Sequence, residues 1–256
     1  MSNTHSSLTE SEIHKLIASQ AYRHSSHPEH QKTHHVVQEW FSNRYSNINQ
    51  DSTVKDSSLA SPWKNLGNVL LVGEGNLSFS KSLLTISSSG ITGMIATTYE
   101  TERSMPDAAK ANASFLRQHG AVVMHDIDAA HLDKEFSSQK FDTIIFQFPN
   151  VGSREPIYGR NPNYILLRKF LRSAAEILAP NGEILISSVD SPYYEGAFQF
   201  EDATEFVGFK TPESYPFDPS NFPGYSHVNT NDDESAIEEH KKFITRVFRL
   251  KDETSV

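Results

Sequence analysis

The chain has 256 residues, no cysteine and a formal net charge of −9. That length fits one sizeable α/β domain with an extension. The lack of cysteine excludes disulfides and thiolate metal sites, and no apolar run approaches the roughly 18 to 20 residues needed to cross a bilayer. With no signal-peptide order at the N-terminus, the expectation is a soluble cytoplasmic protein, or a nucleolar one in a eukaryote, with no membrane partner. The acidity is C-terminal: basic and acidic residues balance six to six up to position 65 and stand at eleven to twelve over 66–189, but at six to fourteen from position 190 onward.

In chain order, positions 1–62 read as a polar extension and 63–256 as the catalytic-sized body. Thr9 as N-cap, Glu12 reaching back, and the periodic Ile13, Leu16, Ile17 and Ala21 predict an amphipathic helix. A second short helix follows around Val36 to Tyr45, and Asn47 to Pro62 is an unpatterned linker. The body then alternates. Strands are expected at Asn68–Val72, Met94–Tyr99, Val122–His125, Thr143–Phe148, Ile184–Val189 and Phe243–Leu250. Helices are expected at Ser78–Ser87, Asp107–His119 and Tyr164–Leu178, the last closed by Pro180-Asn181-Gly182. The stretch before the final strand, rich in Pro and Asp, reads as irregular. Strands joined by crossover helices imply a doubly wound, mostly parallel sheet.

In such a sheet, ligands sit beyond the carboxyl ends of the strands, where strand order reverses. The first strand runs into Gly73-Glu74-Gly75-Asn76, a turn that lets backbone approach a ligand closely ahead of a helix N-terminus. The third glycine of a dinucleotide fingerprint is replaced by Ser78, and no Walker-type phosphate loop is present. A carboxylate at Glu74 would repel a pyrophosphate and attract a sulfonium and an ammonium. Glu100, ending the second strand, can accept both hydroxyls of an adenosine ribose, which indicates a nucleoside cofactor without choosing among them. Asp126 and Asp128 end the third strand; an acid there accepts from an adenine amino group or caps the next turn. Phe148-Pro149-Asn150 ends the fourth with an aromatic face, a rigid proline and an amide, a surface for gripping a flat ring or simply a proline-terminated strand.

With these pieces in view, the chain resembles the Rossmann-like methyltransferases typified by the eukaryotic ribosomal RNA uracil-N3 methyltransferase. The matching segments are LLVGEGNLSFS (70–80), IATTYE (95–100), HDIDAAHL (125–132), FDTIIFQFPNVG (141–152), RNPNYILLRKFLRSAAEIL (160–178), GEILIS (182–187) and FPGYSH (222–227). The resemblance implies a Rossmann-like class I methyltransferase fold with a C-terminal antiparallel strand and S-adenosylmethionine as cofactor. It implies cofactor contacts at Gly73, Glu74, Gly75, Asn76, Ser78 and Phe79, ribose at Glu100, adenine near Asp126 and Asp128, and Phe148 beside the cofactor. It further implies a substrate edge at Phe148, Pro149 and Asn150, joined by Tyr225, and ribosomal RNA as partner. The chain departs from the pattern at Asn150, where the resemblance leads one to expect His, and at VNTNDD after FPGYSH, where basic residues are expected.

Uracil N3 holds its proton at neutral pH, so a base, or hydrogen bonds that stabilise the imidate, must help. Asp190, ending the fifth strand, and His227 are the candidates. Other constellations are weaker. His24, His27, His30, His34 and His35 are dense, but without an H-E-x-x-H or any cysteine they read as a polar tail and no metal is expected. Arg154, Arg160, Arg168, Lys169 and Arg172 form either a phosphate-binding edge or a solvated helix face. The leading expectation is nucleobase methylation by S-adenosylmethionine. Its rivals are methylation of a small heterocycle, which the acidic C-terminal third favours, and a non-catalytic module that keeps the fold.

Overall fold

The computed structural model describes residues 61–153, 155–227 and 242–251, together with a scatter of positions between 8 and 36. The chain divides into two compact units, Met1–Ser57 and Ser58–Val256. In the first, Gln20–Arg23 forms a helical turn and Glu12, Lys15 and Leu16 are helical. The expected cap at Thr9, most of the helix at 36–45 and all but His27 of the histidine group lie outside the described residues.

In the second unit, β1 (Gly67–Val72), β2 (Ile91–Thr97), β3 (Val122–Met124), β4 (Phe141–Gln147), β5 (Leu178–Val189), β6 (Glu213–Phe217) and β7 (Phe243–Phe248) form one sheet in the order β3-β2-β1-β4-β5-β7-β6. β1 pairs in parallel with β2 and β4, and so do β2 with β3 and β4 with β5. β7 inserts antiparallel between β5 and β6. The chain winds outward from β1 to β3, then returns to β1's other side at β4. The reversal between β1 and β4 opens a crevice at their carboxyl ends.

Alternation along β1 explains why its run is apolar throughout. Val69 and Leu71 face one layer, Leu70 and Val72 the other, and all four are buried. The layer under Leu70 and Val72 contains α4 (Pro162–Ala175), through Leu167, Phe170 and Leu171. The opposite layer contains α1 (Ser78–Thr85) and α2 (Asp107–Gln118), through Leu83, Ala109, Ala113 and Leu116. Each fully buried Leu or Phe in these layers contributes about 1.5–3 kcal/mol of transfer free energy. α4 starts where its sequence dictates: Asn161 caps the Asn163 N–H at 2.9 Å and Pro162 occupies the first turn, where no donor is needed.

Two expectations need correction. Pro180-Asn181-Gly182 does not close α4, which ends at Ala175. It bulges inside β5: Leu178 pairs with Phe141, the next recorded pair is Thr143 with Glu183, and Asn181 takes φ 62°. The stretch after β5 is also not irregular throughout its described residues. It holds α5 (Pro192–Phe198), capped by Ser191, then α6 (Phe200–Val207) and β6. Gln199, at φ 49°, is the shared hinge of the two helices. A short helix, α3 (Leu132–Glu135), packs on α4 and adds Leu132 to the same layer.

Candidate active site

Backbone stitching brings the strand ends together. Thr97 Oγ1 donates to the Leu71 carbonyl at 3.0 Å and accepts from the Gly73 N–H at 3.3 Å, while the Glu74 N–H donates to the Thr97 carbonyl at 2.9 Å. Ile127 N–H bonds the Thr98 carbonyl, and Phe148 N–H bonds the Ser187 carbonyl. The result is a cavity of about 530 Å³, within the usual range for small-ligand sites. Its wall is made by Gly73–Asn76 after β1, Tyr99 after β2, Ile127–Ala129 after β3, 146–152 at the end of β4, and Tyr225–His227. Three non-glycine residues at these strand ends, Leu77, Asp126 and Phe148, have positive φ values of 61°, 61° and 48°, the backbone strain that clusters at binding sites.

Gly73 has φ +64°, and a Cβ there would stand 2.9 Å from Phe146 Cε2. The turn therefore has room for backbone alone, which is what close approach to a ligand requires. Glu74 is buried, and its two carboxylate oxygens accept from the Ser80 N–H at 3.1 and 3.2 Å. Burial pushes its carboxyl up from 4.5 to about 7, against the lowering effect of those bonds. The carboxylate thus does two things: it satisfies a free amide at the start of α1 and it puts an ionisable charge on the cavity wall.

The neighbouring polar residues have a structural task that the sequence did not disclose. Asn76 Nδ2 donates to the Ser226 carbonyl at 3.0 Å and to Ser226 Oγ at 3.1 Å. Ser78 Oγ donates to the same carbonyl at 2.9 Å and accepts from the Ser226 N–H at 3.1 Å. Ser78 is buried and off the cavity wall. Both residues act by strapping the 222–227 loop over the glycine turn. Phe79 lines the cavity from inside an aromatic cluster with Trp63, Phe217, Phe222 and Tyr225.

At the other strand ends the acids divide. Glu100 is not on the wall; Tyr99 takes that position. Its Oε2 is nevertheless buried and without a hydrogen-bond partner among the described residues, and burial raises its carboxyl above the ordinary value. A ribose hydroxyl is the kind of donor this oxygen lacks. Asp128 lines the wall, but its side chain caps the following turn, accepting from the Ala130 N–H at 2.8 Å and pairing with His131 at 2.8 Å. Burial raises its carboxyl, and these bonds with the nearby Lys169 charge outweigh it, leaving it below the ordinary range. Asp126 is exposed and off the wall; its N–H holds the Glu100 carbonyl at 3.2 Å.

Phe148 packs edge-on against Phe217, His227 and Phe243, with Pro149 beside it. Asn150 also lines the cavity, but its Oδ1 accepts from the Gly152 N–H at 3.0 Å, an internal turn bond. Tyr225 OH lies 3.3 Å from His227 Nδ1. Burial, then the Glu74 charge, holds the Tyr225 phenol well above its ordinary value, so it stays protonated. Asp190 is exposed and off the wall, because its N–H continues the β5–β7 side of the sheet through the Lys242 carbonyl at 2.9 Å. In the basic group, Arg168 lies over the Phe206 ring at 3.4 Å and Arg160 over Tyr164 at 5.1 Å; Arg154 lies outside the described residues.

Among the cavity residues that the sequence reading did not single out, one stands apart. Gln147, the last residue of β4, lines the wall with both amide atoms buried and without partners among the described residues. An unpaired buried amide costs about 1–3 kcal/mol. Its only signal in the sequence is a lone polar residue in the apolar run IIFQF.

A family model for BMT5-like proteins, described as rRNA (uridine-N3-)-methyltransferase BTM5-like, matches residues 70–229. The chain belongs to the BMT5-like family. The matched span runs from the end of β1 past His227, so every segment of the cavity wall falls inside the BMT5-like region. The domain is therefore a Rossmann-like methyltransferase domain of the S-adenosylmethionine-dependent type. Among relatives, heavy metal-associated isoprenylated plant protein 41 of Arabidopsis thaliana is 29% identical over 71% of this chain and 36% of its own length. An uncharacterized Arabidopsis thaliana protein is 32% identical over 61% of this chain and 79% of its own length. Human ferredoxin-fold anticodon-binding domain-containing protein 1 is 31% identical over 61% of this chain and 27% of its own length. The chain thus spans about a third of the first relative and about a quarter of the human one. Among solved structures, NSun6 from Pyrococcus horikoshii with SFG aligns with a TM-score of 0.48 at 15% identity, over 74% of this chain and 49% of that one. N-methyltransferase NodS from Bradyrhizobium japonicum WM9 aligns at 0.44 and 16% identity, over 82% and 98%. Among the described residues no helix is long and apolar enough to cross a membrane, and no group of three or more His, Asp or Glu could hold a metal.

Proposed function

We propose that this protein transfers the methyl group of S-adenosylmethionine to a ring nitrogen of a nucleobase, uridine N3 in ribosomal RNA. One observation carries the reading: the BMT5-like match covers every segment that lines the cavity, from the glycine turn to His227. When bound, the cofactor supplies an electrophilic methyl group on a positively charged sulfur. The rest is work for the chain's own residues. Gly73 and Gly75 offer backbone without side chains, and Glu74 offers a negative charge where a cation is wanted. Glu100, next in sequence to Tyr99 of the wall, carries an unpaired carboxylate oxygen that a ribose hydroxyl would satisfy once the side chain turned toward the cavity. Phe148 and Pro149 wall off water beside β4 and align a flat ring for in-line displacement.

An imide N–H must lose its proton for its nitrogen to attack. Of the two candidate bases, only His227 is on the wall; with its Nδ1–H donating to the Tyr225 oxygen, Nε2 carries the lone pair that can accept a proton. It takes the ring proton in this mechanism. A second reading, a small heterocyclic acceptor, is favoured by the six basic to fourteen acidic residues from position 190 onward, which suit a polyanion poorly.

Nucleoside mass spectrometry of ribosomal RNA from cells lacking the protein tests the proposal. The expected result is loss of N3-methyluridine, restored by the wild-type chain; an unchanged modification profile refutes the RNA reading. Calorimetry with S-adenosylmethionine tests the cofactor separately, and a protein that takes up none is not a methyltransferase.

A further inference from the structure

Among the described residues, Gln147 is the cavity residue whose buried side-chain amide no internal contact employs. Its neighbours in the same strand end are aromatic: Phe146 is buried against Phe170, and Phe148 is held by Phe217, His227 and Phe243. Near the cavity, the Asn76 amide and the Ser78 hydroxyl are committed to Ser226, and the Asn150 amide oxygen to the local turn. A leucine at 147 would fill similar space without leaving a donor and an acceptor unpaired.

Strand order gives the amide its side of the site. Tyr99, Ile127 and Asp128, which suit a nucleoside, lie beyond β2 and β3. Gln147 lies at the end of β4, across β1 from them. A ligand with its nucleoside toward β2 and β3 presents its other end to Gln147. That end is where the methyl acceptor must sit.

We propose that Gln147 recognises the acceptor as a cyclic imide: its Nε2–H donates to a ring carbonyl next to the nitrogen that is methylated. This deepens the function proposed above and rests on it. As the ring N–H proton passes to His227, negative charge spreads onto the flanking carbonyls, and an amide donor held ready in a dry site stabilises that charge. The ring nitrogen then forms its bond to the methyl carbon as the carbon–sulfur bond breaks, the electron pair of that bond staying on sulfur. An exocyclic-amine acceptor would instead use the amide oxygen.

Three variants separate these outcomes. Gln147→Leu removes both functions and should lower kcat by about 100-fold on uridine-containing RNA, the effect of deleting one such donor. Its Kd for S-adenosylmethionine should stay within about twofold and its Tm should not fall, because the donor faces the acceptor and an unpaired amide has been removed. Gln147→Glu keeps an acceptor and loses the donor, and should be at least as damaged. Gln147→Asn should recover part of the rate. Wild-type kcat in Gln147→Leu, or wild-type rate in Gln147→Glu, overturns the proposal; equal loss of cofactor affinity would overturn it too, by assigning the amide to the cofactor. A readout free of turnover is fluorescence anisotropy of a uridine-containing oligonucleotide with S-adenosylhomocysteine present. Gln147→Leu should bind it about tenfold more weakly, as for one lost hydrogen bond, and equal affinity overturns the assignment. If wild type binds the oligonucleotide by this criterion yet methylates no uridine, the functional proposal fails while the Gln147 contact stands.

Discussion

Replacing Glu74 by glutamine isolates a buried charge that the fold tolerates at a measurable cost. The carboxylate is buried, bonded to the Ser80 N–H, and titrates at about 7 instead of 4.5. Between those two pH values the folded chain keeps a proton that the unfolded chain has released. Stability from this group is therefore greatest below pH 4.5, falls as pH rises, and levels off above about 7. The difference of 2.5 between the two values corresponds to about 3 kcal/mol. The amide of the Glu74→Gln variant would retain an oxygen for the Ser80 N–H and lose the titration. Urea unfolding of wild type and Glu74→Gln from about pH 4.5 to about 8 should show the variant gaining about 3 kcal/mol relative to wild type across that range. A cationic ligand selects the ionised form, whose population rises from about 10% at about pH 6 to about 90% at about pH 8. The wild-type Kd for S-adenosylmethionine should tighten about tenfold over the same interval, and that dependence should vanish in Glu74→Gln. Parallel stability profiles for the two proteins, or a cofactor Kd indifferent to pH in wild type, would refute the reasoning.

Gly73→Ala forces a Cβ to within 2.9 Å of Phe146 at φ +64°; calorimetry should show cofactor affinity reduced by more than about tenfold, with stability lower by about 1–2 kcal/mol. Asn76→Ala removes two donations to Ser226 and one acceptance from the Ser78 N–H. It should lower stability by about 1–2 kcal/mol in denaturant titration and speed proteolytic cutting within 222–227. Asp190→Asn should leave methyl transfer near wild type, whereas His227→Ala should lower it by about 100-fold or more in single-turnover assays.

The sheet from β1 to β5 was legible because its strands are apolar on both faces and its crossovers carry helix signals. Residues 190–217 were not, for a local reason. Pro192 reads as a breaker in sequence but starts α5, Gln199 joins two helices too short to show a period, and Pro216 sits in β6 at the sheet's edge, where no ladder donor is missed. In the site, the glycine turn announces itself through spacing. The tasks of Asn76 and Ser78 do not, since their partner Ser226 is 150 and 148 positions away. The charge of Glu74 is plain in the sequence, yet its bond to Ser80 depends on how the turn enters α1. Gln147 is hidden by the apolar strand around it, and only the finding that both its amide atoms are unpaired separates it from its neighbours.

The contact between Ser226 and the glycine turn has a consequence for synthesis on the ribosome. Strands β1 to β4 emerge early and in order, and can pair as they appear. The cavity wall waits for Tyr225–His227, and β6 waits for β7, its partner at the sheet edge. A nascent chain of about 200 residues would own the turn and most of the parallel sheet while lacking one wall of its pocket. Ligand capture is thereby postponed until residues 225–227 have been made, and a fragment ending before Phe222 would report on folding but not on binding.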